Sequence, residues 1–475
     1  MLLKQFFTGK IAHSSYILAG KTSCAVVDPR RDVDVYINEA LAMGTAITHI
    51  LETHLHADFL SGHLELAKKT GARIYAPASA SCAFNHVPVS DGERIRLEDM
   101  DIAVWETPGH TPEHVTYIVT DRSRGDGPVG AFVGDVLFVG DVGRPDLFPD
   151  RSEELADKLY YSLHDKLLSL PDYCEVYPAH GAGSLCGRSL GAKRLTTIGY
   201  ERAFNPSLQI KDKTAFISSL TTNMPSAPDH FGRCSDINRR GPALLSELPA
   251  LESLTPPAFR SRMRQSGAAV LDVRGYAAFA ALHIPGAWHI DLSGNFPTFA
   301  GWVLPPDQDL LLVADDYEEA LEAKQWAART GIDRIGGWLA GGMTDWALAG
   351  FETDRLGLLS VEDLHAMLTG HQTFTLVDVR APQEYAENHI EGAVNIPTAD
   401  LRTRWAELDR GKPTVVICSA GIRAGLGACI LKRQGFREVY NVAGGMAGYS
   451  AAGYAGPCTV CVIPHGSRYF SNFIG

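Results

Sequence analysis

An internal repeat sets the tightest limit on what this chain can fold into. Residues 271–287 read LDVRGYAAFAALHIPGA and residues 377–393 read VDVRAPQEYAENHIEGA, so Asp272 answers to Asp378 and His283 to His389. Each copy closes on Gly-Gly-Met, at 341–343 and at 444–446. Marks recurring at a spacing of about a hundred residues imply two copies of one domain. Short apolar runs (AVLDV, PTVVIC) alternate in both copies with helix-like stretches such as ALEAKQWAART. That alternation predicts parallel sheets covered on both faces.

A chain of 475 residues is long enough for roughly three domains. The residues before the repeat follow a different grammar, with strands such as TSCAVVDP and AITHILET running into polar motifs at their ends. Loops at strand ends are where a rigid scaffold carries function. The expected organisation is a sheet-plus-helix domain over 1–221, an aperiodic linker over 222–250, repeat copies over 251–356 and 357–455, and a tail over 456–475. The tail holds Cys458-x-x-Cys461, too few ligands for a zinc knuckle.

A net charge of -12 argues against nucleic-acid binding, which needs a basic face. No apolar run approaches the ~18 residues of a membrane helix, and Lys4, Gln5, Lys10 and His13 interrupt the first twenty residues. A cytoplasmic protein without a secretory leader is expected. The nine cysteines are scattered, which suits reduced thiols.

The stretch ETHLHADFLSGH, residues 52–63, sets His54, His56 and Asp58 at alternate positions. TPGHTPEH follows with His110 and His114, AFVGDVLFVGD with Asp135 and Asp141, and YPAHGAGSLCG with His180. Imidazoles and carboxylates in four loops supply the ligand types of a first-row metal. These motifs resemble those of the metallo-β-lactamase superfamily. They are most similar to its persulfide dioxygenase branch, with glyoxalase II thioesterases as the nearest alternative. The resemblance implies an αββα sandwich with one mononuclear non-haem Fe(II) on His54, His110 and Asp135. It makes His56, Asp58 and His180 orienting or substrate-pocket groups, and Arg144 an anchor for an anionic group of a thiol such as glutathione or coenzyme A. Phe59 stands where a two-metal hydrolase carries a further histidine, and it cannot donate a lone pair.

In PTVVICSAGIRAGLGACILKR, Cys418 follows a buried strand and precedes a helix. A tight loop at a helix N-terminus stabilises a thiolate, so Cys418 is expected to be nucleophilic at neutral pH. With the Asp-Val-Arg and Gly-Gly-Met marks, this half resembles the rhodanese family, which holds a cysteine persulfide in a six-residue loop. Here that loop is Cys418, Ser419, Ala420, Gly421, Ile422 and Arg423, with Arg423 expected to hold an anionic sulfur acceptor. Aligning the copies puts Ala314 opposite Cys418 and Glu319 opposite Arg423. The first copy therefore reads as a rhodanese fold without the chemistry, used for docking or spacing.

Together these readings predict an α/β multidomain enzyme that oxidises a low-molecular-weight thiol persulfide with O2 to sulfite. The second copy would pass sulfane sulfur through Cys418, forming or using thiosulfate. A homo-oligomer is expected, with neither nucleic acid nor membrane as partner. The rivals are a zinc-dependent thioester hydrolase with a sulfurtransferase module, and a sulfide-responsive sulfur carrier or sensor.

Overall fold

A computed structural model describes residues 1–455 apart from 189, 223, 225 and 226. Cys458 and Cys461 lie outside the described residues. The described chain divides into two compact units, the first formed mainly by residues 1–248 and the second mainly by the residues that follow.

The first unit is built on two six-stranded sheets. One runs in chain order from Leu2–Thr8 through His13–Ala19, Ser23–Val27, Ala46–Leu51 and Arg73–Pro77 to Val87–Val89. The other orders Thr196–Thr197, Glu175–Pro178, Gly130–Gly134, Val115–Asp121, Met100–Glu106 and Arg94–Leu97. Tyr16, Val27, Leu51, Val104, Tyr117 and Phe132 belong to one apolar cluster drawn from both sheets. Residues of the opposite faces join helices instead. Val26 and Ile50 cluster with Val33, Tyr36 and Leu66, and Val133 and Val176 with Leu159, Phe216 and Leu220. Strands buried on both faces read as continuous apolar runs, and the result is the expected αββα layering.

The stretch 222–250 is not the aperiodic linker expected from its composition. His230–Arg240 is a helix, with Phe231, Cys234 and Asn238 buried. Its apolar residues are few, and buried polar groups replace them, so hydrophobic periodicity gives little sign of the helix.

In the second unit each repeat copy is a five-stranded parallel sheet. The first orders Glu252–Leu254, Ile335–Leu339, Leu310–Val313, Ala269–Asp272 and Trp288–His289. The second repeats the pattern with Gly357–Leu359, Val439–Val442, Thr414–Ile417, Thr375–Asp378 and Val394–Asn395. Asp272 pairs with Val313 in one and Asp378 with Ile417 in the other. Ala314 and Cys418 thus occupy the same place in the fold. Arg274 and Arg380 pair with the aspartates two residues before them at 2.6 and 2.7 Å and donate to the carbonyls of Leu282 and Asn388. These repeated Asp and Arg residues are structural. One apolar cluster runs through both copies, joining Val273, Phe279 and Leu312 to Val379, Leu426 and Ile430.

Candidate metal centre and sulfur loop

The metal centre is assembled at strand ends. Ala46–Leu51 lies in parallel between Ser23–Val27 and Arg73–Pro77 and runs into the loop bearing His54, His56 and Asp58. Gly130–Gly134 delivers Asp135, Glu175–Pro178 delivers His180, and the loop before Val115–Asp121 carries His110. His54, His110 and Asp135 bring their ligand atoms within 4.8 Å of one another, all buried. Nε2 of His54 lies 3.7 Å and Nε2 of His110 3.4 Å from Asp135 Oδ2.

Neither Nε2 atom has a hydrogen-bond partner, a costly state for a buried polar group. Their other ring nitrogens are held. His54 Nδ1 contacts Thr53 Oγ1 at 2.9 Å, and His110 Nδ1 donates to the carbonyl of Arg144 at 2.9 Å. Burial pushes both imidazoles toward the neutral form that offers a lone pair. Burial opposes ionisation of Asp135, but His180 and His110 hold its carboxyl far below the usual carboxylate range. Two neutral imidazoles and one carboxylate, with unpartnered nitrogens converging, fit a divalent metal with open coordination positions.

His114 supports this trio without joining it. Its Nε2 accepts the backbone N–H of Asp135 at 3.0 Å and its Nδ1 contacts Thr107 Oγ1 at 3.0 Å. Burial takes His114 down to about 3, so it stays a neutral acceptor. His180 bridges two carboxylates, with Nδ1 2.8 Å from Asp135 Oδ1 and Nε2 2.8 Å from Asp58 Oδ2. Burial opposes its protonation, yet Asp135 and Asp58 raise it well above the usual imidazole range. His56 turns elsewhere, its Nε2 3.3 Å from Asp28 Oδ1.

Two further groups could hold a cation, Asp58–His180–Cys186 and Asp28–Glu52–His56. Phe59 is fully buried, its ring centroid 4.1 Å from that of His13 and 4.5 Å from that of His56. His13 is a residue the motif reading missed. It is buried, neither ring nitrogen has a partner, and it lies beside His56 and His180. A lone histidine far upstream of the motif carries no spacing signal.

Asn238 was missed as well. Its amide nitrogen donates at 2.8 Å to the carbonyls of His56 and Phe59, and its oxygen accepts from Ser61 N–H at 2.9 Å. One buried amide thus pins the loop that carries the metal motif. Arg144, expected as a substrate anchor, is held between two loops. Its guanidinium donates twice to Asp146, at 2.7 Å each, and to the carbonyl of Leu185 at 3.1 Å. Only 3% exposed, it ties two loops together.

In the sulfur loop, Cys418 is buried and its Sγ accepts the backbone N–H of Gly421 at 3.1 Å. Gly421 has φ of 98° and caps the Ile422–Arg433 helix, a conformation favouring glycine. Arg423, expected to hold an anionic sulfur acceptor, is engaged within the fold. Its guanidinium meets both oxygens of Glu384 at 2.7 Å and Ser419 Oγ at 2.6 Å, all buried. Burial opposes ionisation of Glu384, but Arg423 and the N–H of Ala381 hold it below its usual value. Glu384 was not singled out in the sequence, although its fixed distance from Asp378 has a counterpart in Ala278 of the first copy.

The Gly-Gly-Met mark braces the loop from behind. A Cβ at Gly445 would lie 2.2 Å from the carbonyl oxygen of Cys418. Met446 N–H donates to that oxygen at 2.7 Å, and Ala447 N–H to Ser419 O at 2.9 Å. In the first copy the equivalent loop is closed by carboxylates, with Glu319 accepting from Asp315 N–H at 2.6 Å and Asp316 from Glu319 N–H at 2.8 Å.

Known proteins match both halves. Residues 8–180 match the metallo-beta-lactamase superfamily, and residues 255–349 and 360–452 each match the rhodanese-like domain. The mitochondrial persulfide dioxygenase of Mus musculus is 30% identical over 217 residues, covering 44% of this chain and 77% of that protein. A hydroxyacylglutathione hydrolase of Methylobacterium is 35% identical, covering 35% of this chain and 70% of that protein. The crystal structure of a metallo-beta-lactamase from Staphylococcus aureus superposes with a TM-score of 0.64 at 33% identity, over 71% of this chain and 99% of that one.

Proposed function

This chain belongs to the metallo-beta-lactamase superfamily and carries two rhodanese-like domains, and from that premise we propose a bifunctional enzyme of sulfur metabolism. Its first unit oxidises a thiol persulfide: RSSH, O2 and water give RSH, sulfite and two protons. Its last repeat transfers sulfane sulfur through Cys418. The observation that carries the reading is the buried trio of His54, His110 and Asp135, with both Nε2 atoms unpartnered beside a Phe59 that denies a second ion its customary ligand. A bound Fe(II) at this trio supplies the activation of O2 that a persulfide alone lacks.

The chain's own residues set up that chemistry. The Thr53 hydroxyl and the Arg144 carbonyl fix the ring orientations of His54 and His110, and His114 fixes the backbone of Asp135. Outer partners of this kind sharpen metal affinity and ligand basicity. In the last repeat the Cys418 thiolate attacks the outer sulfur of a persulfide. A bond forms between Cys418 Sγ and that outer sulfur as the S–S bond joining it to RS breaks, so Cys418 becomes a persulfide and RS⁻ leaves. Sulfite then takes the terminal sulfur, giving thiosulfate and regenerating the thiolate. The N–H of Gly421 already points at Sγ and stabilises its negative charge at either end of the cycle.

Metal analysis of the purified full chain, with oxygen uptake measured on glutathione persulfide and coenzyme A persulfide, tests the reading. Iron with stoichiometric oxygen consumption supports it. Zinc without oxygen consumption sinks it. One observation favours a thioester hydrolase instead: Asp58, His180 and Cys186 could hold a second cation despite Phe59. Two metals per chain and thioester cleavage in the same assay would mark that alternative.

A further inference from the structure

A second buried cluster borders the trio. Asp28, Glu52 and His56 bring their ligand atoms within 4.8 Å of one another. Asp28 follows the strand Ser23–Val27 and Glu52 follows Ala46–Leu51, and these strands pair in parallel with Val27 beside Leu51. The two carboxylates are therefore delivered side by side. Asp28 is 2% and Glu52 5% exposed, and among the described residues no Lys or Arg pairs with either. Imidazoles stand there instead. His56 Nε2 lies 3.3 Å from Asp28 Oδ1, and His63 Nδ1 lies 3.9 Å from Glu52 Oε1. Both histidines are buried, and none of their four ring nitrogens has a hydrogen-bond partner.

The spacing suits a shared ion better than a hydrogen bond. At 3.3 Å, His56 and Asp28 stand outside the ~2.7–3.2 Å of an ordinary N–H···O bond. Ligands bound at about 2.0–2.1 Å to a tetrahedral zinc sit about 3.3 Å apart. The trio shows nearly the same separation, 3.4 Å between His110 Nε2 and Asp135 Oδ2. Neighbouring hydrogen bonds orient the carboxylates without closing the cluster. Asp28 Oδ1 takes the backbone N–H of Thr53 and Oδ2 takes its hydroxyl, at 2.8 Å each, while the Ser61 hydroxyl lies 2.8 Å from Glu52 Oε1. An ionised carboxylate offers about four lone-pair sites, so lone pairs remain for a metal. With its proton given to Asp28, Thr53 Oγ1 accepts from His54 Nδ1. One hydroxyl thus orients ligands of both centres.

We propose that Asp28, Glu52 and His56 form a second metal site, a closed structural one for a divalent cation such as zinc, with His63 placed to serve as the fourth ligand. Buried charges are either paired or bound to metal, and these two carboxylates have no cationic side chain to pair with. Carboxylate oxygens combined with imidazole nitrogens are a donor set that zinc accepts. The ion ties two adjacent strand ends to the metal loop. It also holds His56 away from the trio, whose open positions stay open. The site does not depend on which metal the trio binds.

The test locates the ion, because a count per chain does not separate this site from Asp58–His180–Cys186. The full chain is stripped with a chelator, loaded with Zn²⁺, freed of excess metal and crystallised, and anomalous scattering is recorded on both sides of the zinc absorption edge. A peak among Asp28, Glu52 and His56 is expected, in addition to one at the trio. In solution, a His110→Ala chain is expected to retain a zinc ion that is lost when Glu52→Gln is added and kept when Cys186→Ser is added.

Zinc at the trio with none among Asp28, Glu52 and His56 overturns the proposal and leaves the proposed function standing. Zinc here with none at the trio upholds the proposal and removes the metal centre on which that function rests. Zinc at neither place ends both. A His110→Ala chain that retains zinc equally well with and without Glu52→Gln is as fatal as a missing peak. Gln is close in size to Glu, and should the Glu52→Gln protein fail to fold, the anomalous map of the native chain decides.

Discussion

Glu384 and Arg423 form a two-pronged ion pair, Oε2 to Nη1 and Oε1 to Nη2 at 2.7 Å each, with both side chains excluded from water. Removing one partner strands the other charge in the interior. Glu384→Ala is expected to cost about 3–5 kcal/mol and to abolish sulfur transfer, measured by denaturant unfolding and by thiosulfate formation. The pair also fixes a pH dependence. The carboxyl's folded value is depressed below its ordinary 4.5, so its stabilisation is complete above the unfolded value and fades as pH falls through the folded one. Unfolding midpoints of the native chain should drop below that ordinary value more steeply than those of Glu384→Gln.

His114 acts on the metal through the backbone of Asp135. His114→Ala is expected to weaken metal affinity by roughly 10- to 100-fold while leaving a folded protein. Competition with a fluorescent chelator measures it, and an unaltered affinity would remove His114 from the centre's support.

Asn238 holds three backbone groups of the metal-motif loop at once. Asn238→Ala leaves them buried and unpaired, at a cost on the order of 1–3 kcal/mol. A lower Tm in the metal-loaded protein, with sulfur transfer at Cys418 intact, is the expected signature.

The two chemistries should separate. Cys418→Ser is expected to lose sulfur transfer and keep oxygen uptake, while stripping the metal with a chelator does the reverse. Joint loss in either experiment would show that the sites do not work independently.

Restoring a cysteine to the first repeat should not restore activity. Ala314→Cys places a thiol among Asp315, Asp316 and Glu319, and the position matching Glu384 is Ala278. Even with Glu319→Arg added, the new guanidinium lacks its carboxylate. Turnover is expected only once Ala278→Glu completes the set, as a Cys418→Ser background would reveal.

Much of this was readable from residue order because the relevant signals are local. Asp378 and Arg380 bond across two residues, and the repeat of their spacing exposed the two α/β copies. His54, His110 and Asp135 each follow a recognisable strand, so their loops could be listed without knowing the fold. What escaped detection depends on distance along the chain. Asn238 reaches loops far upstream from a helix with few apolar residues, and His13 meets the motif only through sheet pairing. Arg144 and Arg423 illustrate a different limit. A guanidinium beside a functional motif suggests a substrate anchor, while its pairing with Asp146 or Glu384 emerges only from the fold.

Gly445 closes the account from an unexpected side. It has no functional group and touches no substrate, yet any side chain there would drive into the peptide that follows the nucleophile. In a saturation scan scored by sulfur transfer alone, Gly445 would be indistinguishable from Cys418. Intolerance to substitution in this protein therefore reports the space around a reacting atom as readily as it reports the atom.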